Sequence, residues 1–361
     1  MIGPETMELR PGHHISRVIR GGWQLAGDHG DVDRPAAIAD MEAFLDAGIV
    51  TFDCADIYTG VEQMIGDFIS NLRHQCGAEK ANRVVVHTKL VPDLSRLEHL
   101  RQDEVEAIID RSLKRLQIER LDLVQFFWWD LNLGHAAEAL DILRDCQKKG
   151  KILNLGTTNW DSEQIKNFTQ TGYDIASAQV QYSVLDRRPS FGLAKWAAEH
   201  DIHLLCYGTL AGGFLTEDWL NKPDPGFKFT NRSLVKYRLI IDEFGSWDVF
   251  QGLLTTLKRI GDKHCVSLSS VATRWVLDQP QVAGAIVGAR YAHHLPKTLQ
   301  VFDVRLDSED HAKIKAAQAL ARGPFGPVFS LEGDRTSRHG SIMKYNLNTY
   351  PEDQILAKIN D

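Results

Sequence analysis

Short runs of β-branched and apolar residues alternate along this chain with segments of helical period, and the alternation repeats eight times without a break in composition. The candidate strands are Val18–Leu25, Val50–Cys54, Val84–Lys89, Leu121–Trp128, Ile152–Thr157, Ser177–Tyr182, His203–Tyr207 and Val282–Val287. Between them lie the helical segments Ala36–Ala47, Val61–Asn71, Asp103–Leu116, Ala136–Lys149, Ser162–Thr171 and Phe191–His200, then the pair Val249–Ile260 and Ser267–Asp278. A further helix, Ser308–Ala321, follows the last strand. Asp103–Leu116 carries apolar residues three and four apart, which gives a helix one greasy face. Arg83-Val84-Val85-Val86-His87 shows no such spacing and suits a strand whose outer face is covered. Eight strand–helix units are the number that closes a (β/α)8 TIM barrel, an α/β fold. The competing arrangement is a doubly wound open sheet, which would normally carry GxGxxG after its first strand, and this chain has none. The barrel with its N-terminal segment takes residues 1–322. A tail rich in Gly, Arg, Ser and Asn, residues 323–361, is expected to pack near the barrel mouth. Leu210–Ser246, rich in Gly, Pro and Asn, reads as a long loop, and long loops in barrels are often functional.

The composition narrows the partners. Lys plus Arg number 41 against 48 Asp plus Glu, a net charge of −7. An acidic balance without a basic run argues against binding nucleic acid through its phosphates. The five cysteines lie far apart with no CxxC, which disfavours structural zinc and a disulfide scaffold. No apolar run is long enough to span a bilayer, and Met1–Arg20 has no apolar leader core, so a cytoplasmic protein is expected. His13-His14 and His293-His294 have no acidic or Cys partner at ligand spacing, so no metal is expected.

Barrel enzymes carry their chemistry at the C-terminal ends of the strands. Here those ends hold Asp53 and Tyr58 after the second strand and Lys89 at the end of the third. A tyrosine is a poor proton donor or acceptor near neutrality. An ammonium beside it favours the phenolate, and a carboxylate can hold that ammonium charged and oriented. Such a set is a general acid able to protonate a carbonyl oxygen as hydride reaches the carbon. Trp23 and Trp128 fall at strand ends and are expected to wall a substrate pocket, whereas Cys54 reads as a small core residue.

The segment Phe52-Asp53-Cys54-Ala55-Asp56-Ile57-Tyr58-Thr59-Gly60-Val61-Glu62 resembles the signature of the aldo-keto reductase superfamily. So do Thr88-Lys89, Gly156-Thr157-Thr158-Asn159-Trp160, Gln179-Val180-Gln181-Tyr182-Ser183 and Ile286-Val287-Gly288-Ala289-Arg290, in the family's order over about residues 17–322. The resemblance implies a (β/α)8 barrel that binds NADP(H), less often NAD(H), across its mouth and acts on a small carbonyl or alcohol. By position it makes Tyr58 the acid, Lys89 the lysine that lowers its pKa and Asp53 the paired carboxylate. Thr158, Asn159 and Gln179 would hold the nicotinamide carboxamide, and Tyr207 would stack on the ring. Gly208, Leu210, Gly288, Arg290 and His294 would complete the cofactor site, with Arg290 on the 2′-phosphate, where paired guanidinium contacts are strong.

One family position is changed. The fourth strand ends Asp122-Leu123-Val124-Gln125-Phe126-Phe127-Trp128-Trp129, which puts Phe127 where the family usually has His. Phenylalanine has no N–H to offer a carbonyl oxygen, and losing such a donor commonly costs about 10²–10³ in rate. Three function classes follow. The first is an NADP(H)-dependent carbonyl–alcohol oxidoreductase. The second is a nicotinamide-binding regulatory or redox-sensing protein with little turnover. The third, a metal-dependent barrel isomerase or hydrolase, lacks ligands at the strand ends.

Overall fold

The computed structural model describes residues 3–26, 32–288 and 291–348. It opens with an antiparallel hairpin of β1 (Thr6–Arg10) and β2 (His13–Ser16). Eight parallel strands follow: β3 (Val18–Gly21), β4 (Thr51–Asp53), β5 (Val85–Leu90), β6 (Leu121–Phe126), β7 (Ile152–Thr158), β8 (Ser177–Gln181), β9 (His203–Tyr207) and β10 (Val282–Val287). Each pairs with the next, and β10 pairs with β3 through Ala285–Val18, Ile286–Ile19 and Val287–Arg20, so the sheet is a closed barrel. The expected TIM barrel is the fold observed.

Helices begin where sequence chemistry starts them. Asp33 accepts from the Ala36 N–H ahead of Arg34–Asp46, and Ser267 accepts from the Ser270 N–H ahead of Leu268–Leu277. Each such cap contributes about 1 kcal/mol. No described helix is long and apolar enough to cross a membrane.

The hairpin closes the barrel floor. Leu9 and Ile15 pack with Ile19, Leu123 and Leu205 in one buried cluster. His13 enters the same region, with its Nε2 3.2 Å from His87 Nε2 and its Nδ1 2.9 Å from Asn154 Nδ2. Burial is the main cause that lowers both imidazole pKa values, His13 to about 4, so the pair is neutral and one ring donates to the other.

Three departures from the expected extents bear on the barrel mouth. The first barrel strand stops at Gly21, and Trp23–Leu25 forms a 3-10 turn. Gly22 sets that break: its N–H donates to Asp53 O at 2.7 Å, and a Cβ there would stand 2.8 Å from the same oxygen. The fourth barrel strand stops at Phe126 rather than Trp128. The segment read as a long loop contains the helix Arg232–Phe244, started by Asn231 and held by buried Leu239, Ile240, Ile241 and Phe244.

Residues 323–348 cross the barrel mouth and are fastened there by polar groups. Asp93 Oδ1 accepts from the backbone N–H groups of Leu347 and Asn348, and the Asn348 amide donates to Val91 O at 2.6 Å. The Tyr345 carbonyl accepts from Leu94 N–H.

Candidate active site

The strand ends open into a cavity of about 620 Å³. Asp53, Tyr58 and Lys89 line it together. Asp53 ends β4, and Lys89 sits one residue from the end of the neighbouring β5. The Lys89 ammonium donates to Asp53 Oδ1 at 2.6 Å and to Cys54 O at 2.8 Å. The other carboxylate oxygen, Asp53 Oδ2, accepts from the amides of Gln179 at 2.6 Å and Gln125 at 3.1 Å. Burial opposes the charge on Lys89, but Asp53, Tyr58 and Cys54 together more than offset it, so the lysine pKa lies above its ordinary value. Lys89 Nζ lies 5.2 Å from the centre of the Tyr58 ring.

The expected lowering of the Tyr58 pKa is not the net result. Burial raises it, Lys89 lowers it by attraction and hydrogen bonding, and Asp53 raises it again. Burial wins, and the phenol is pushed up to about 12. Tyr58 is therefore held in its protonated, proton-donating form.

The second group of residues lies around the same cavity. Thr158, Asn159, Gln179, Tyr207, Gly208, Leu210, Gly288 and His294 all line it. Gln179 spends its amide N–H groups on Asp53 and on Gln125 Oε1, which leaves its amide oxygen free of described partners. Asn159 accepts from the Tyr207 hydroxyl at 2.7 Å, which leaves its amide nitrogen to donate elsewhere. Together they present one acceptor and one donor, the complement of a carboxamide. Thr209 Oγ1 and Gln24 Oε1 line the same space and are buried without a partner among the described residues. Gly208 takes φ +70°, and a Cβ there would stand 2.6 Å from the Tyr237 hydroxyl, so only glycine fits. Arg290 lies outside the described residues.

One side of the cavity, where a substrate is expected, is walled by aromatic rings. Trp23 lies 4.9 Å from Tyr58, ring centre to ring centre, with its indole N–H on Ser233 Oγ at 3.1 Å. Phe127 meets Trp129 edge-on at 4.8 Å and Phe329 at 5.6 Å. Trp128, expected on this wall, is not on it. With the strand ended at Phe126, its ring turns into the core against Phe126 and its indole donates to Leu133 O at 2.8 Å. Trp129 takes the wall position, anchored by an indole hydrogen bond to Pro92 O.

Other lining residues were not anticipated from sequence. Lys236 and Tyr237 come from the unexpected helix, and Phe329, Met343 and Leu347 come from the segment over the mouth. Gln125, which holds Asp53 Oδ2 without lining the cavity, carried a readable signal, an amide set between Val124 and Phe126. The tail residues carried none, because their contacts join positions about 250 apart, as in Asn348 with Val91.

The sequence profile of the Aldo/keto reductase family matches residues 17–319. The chain belongs to this family. Aldo-keto reductase YhdN of Bacillus subtilis is 27% identical over 335 residues, covering 88% of this chain and 95% of the relative. The NADH-specific methylglyoxal reductase of Escherichia coli is 23% identical, covering 85% and 96%. Among solved structures, the glycerol dehydrogenase AKR11B4 from Gluconobacter oxydans superposes with a TM-score of 0.69 at 26% identity, covering 87% of this chain and 95% of that one. An aldo-keto reductase from Klebsiella pneumoniae in complex with NADPH shares the fold at 21% identity and a TM-score of 0.66, covering 90% and 97%. As an aldo-keto reductase, the protein is an oxidoreductase.

Proposed function

We propose that the protein interconverts a small-molecule carbonyl and its alcohol with NADP(H), or in second place NAD(H), and that Tyr58 is the proton donor in reduction. The observation that carries this reading is the buried Lys89–Asp53 pair, held by Gln125 and Gln179 against a Tyr58 that stays protonated. The free amide oxygen of Gln179, the free amide nitrogen of Asn159 and the unpartnered Thr209 hydroxyl fit a nicotinamide and its ribose beside Tyr207. When bound, the nicotinamide supplies the hydride.

The protein residues do the rest. Tyr58 donates its phenolic proton to the carbonyl oxygen in reduction and takes it back in oxidation. Lys89 stabilises the phenolate left behind, and Asp53 keeps Lys89 charged. Trp23, Phe127 and Trp129 exclude water, which strengthens each of these interactions. With Phe127 in place of His, the oxygen receives one hydrogen bond from this set rather than two.

Purified protein mixed with NADPH and a panel of aldehydes and ketones tests the reading. Oxidation of NADPH that depends on one of these carbonyls is expected. Phe127 favours a second reading, a cofactor-binding regulatory or redox-sensing protein. Quenching of tryptophan fluorescence by NADPH with no turnover on any carbonyl would overturn the first reading in favour of the second.

A further inference from the structure

Lys236 stands out among the charged groups at the mouth because its ammonium is largely buried and yet has no hydrogen-bond partner among the described residues. The side chain is only 16% exposed, yet its Nζ donates to none of the described residues. The nearest carboxylate oxygen, Glu332 Oε1, is 3.9 Å away and is already engaged. Arg188 takes both oxygens of Glu332, at 2.9 and 3.1 Å, and also pairs with Asp186 at 2.6 Å. These two carboxylates and the guanidinium are fully buried and satisfy one another. What remains to Lys236 is ring faces: Nζ lies 5.0 Å from the centre of Tyr207 and 5.6 Å from that of Tyr237. Both rings and Lys236 line the cavity.

An ammonium has three donors, and removing it from water without satisfying any of them is costly. Attraction to Glu332 holds the charge in place but supplies no hydrogen bond. Lys236 thus presents its donors to the cavity, next to the ring on which the nicotinamide is read to stack.

We propose that Lys236 is an anion-reading residue of this cavity, whose ammonium takes an oxyanion held beside Tyr207. Two sources share that chemistry: the diphosphate of the dinucleotide and a carboxylate on the substrate. The inference rests on the cofactor reading above only for the first source. It adds a specificity-determining residue that sequence motifs do not mark.

Equilibrium binding to the full-length protein separates the outcomes. NADPH and NADH are titrated onto wild type, Lys236→Met and Lys236→Arg by tryptophan fluorescence. Benzoate and benzamide are then titrated onto the same proteins, with and without NADP+. If the diphosphate is the anion, Lys236→Met weakens NADPH and NADH by the same factor, about ten- to hundredfold. If a substrate carboxylate is the anion, both cofactors keep their affinity and benzoate alone loses that factor, with benzamide unchanged. Either result supports the inference, and Lys236→Arg should keep most of the affinity. Losses under twofold for every probe, or a loss confined to NADPH, would overturn it. Should Lys236→Met fail to fold, Lys236→Gln replaces it, and wild-type affinity in folded Lys236→Gln has the same overturning force. A wild type that binds neither cofactor would defeat the cofactor reading while the benzoate titration still decides the role of Lys236.

Discussion

The ring of Phe127 meets the ring of Phe329 edge-on, 5.6 Å apart, so a residue at the end of a barrel strand is packed by one from the segment that crosses the mouth. Trp129 closes on Phe127 from another side at 4.8 Å. A histidine in that place would gain an N–H for the substrate, but its second ring nitrogen would face aromatic carbon. Phe127→His is therefore expected to lower stability by about 1–3 kcal/mol and to leave turnover of simple aldehydes no higher. Urea unfolding and an aldehyde panel check this. A gain in kcat/KM would show that the pocket accepts the imidazole and that Phe127 only weakens the site.

In the proposed mechanism, Tyr58→Phe removes the proton source and leaves the cofactor contacts in place. Carbonyl reduction should fall by about 10²–10⁴, while the NADPH dissociation constant moves less than about twofold. Rates and fluorescence titrations on one preparation decide it. A variant that retains a tenth of the wild-type rate would remove Tyr58 from the mechanism.

The pH dependence has a definite sign. Burial raises the Tyr58 pKa to about 12, so the phenol remains protonated across the neutral range. Reduction consumes the protonated form and should be flat from pH 6 to 10. Oxidation of the alcohol needs the phenolate and should rise about tenfold per pH unit over the same range. Measuring kcat/KM in both directions tests the pair of slopes. A fall in reduction centred below pH 9 would mean that Lys89 outweighs burial.

Asp56 is 4% exposed, and its carboxyl is pushed up to about 7, first by burial and then by repulsion from Glu62, against Arg111, the Val91 N–H and Asn348. Its folded pKa lies above the unfolded value. The associated stability is thus present below the ordinary carboxylate range and is lost as pH rises through about 7. Asp56→Asn should be more stable than wild type at pH 8, by on the order of 2 kcal/mol, with the difference gone by pH 4. Urea midpoints at the two pH values test it. An Asp56→Asn protein destabilised at pH 8 would show that the charged carboxylate is needed to hold the Val91 N–H and the Asn348 amide.

Arg290 carries the choice of cofactor by resemblance alone. Removing a paired contact to a phosphate costs about 1.5–3 kcal/mol, so Arg290→Ala should weaken NADPH tens-fold and leave NADH nearly unchanged. Equal losses for the two cofactors would mean that Arg290 does not read the 2′-phosphate.

The barrel was legible because each of its strands is a local event. Val84-Val85-Val86 and the helical spacing after Glu104 need no distant residue to be recognised, and eight such units leave little choice of closure. Strand ends were less legible. Gly22 stops β3 because of where Asp53 O lies, a contact between different strands. The two residues by which the fourth strand falls short of its expected end exchanged Trp128 for Trp129 on the pocket wall, since the inside–outside alternation ends with the strand at Phe126. Asp53, Tyr58 and Lys89 could be placed because barrel topology fixes what strand ends do. Lys236 could not, because the Gly, Pro and Asn around it hid the helix that carries it. The net direction of the Tyr58 pKa was missed for a physical reason: sequence shows the partners of a group but not the depth of its burial.

The segment over the mouth also sets an order of assembly. The floor of the barrel is closed by a hairpin that precedes β3, whereas Phe329, Met343 and Leu347 leave the ribosome only after β10 has been made. A nascent chain can thus complete its barrel and its Lys89–Asp53 pair while the pocket is still open on one side. The cavity wall formed by Phe329, Met343 and Leu347 is the last part completed, and it lies on a strip that a protease could trim without touching a single barrel strand.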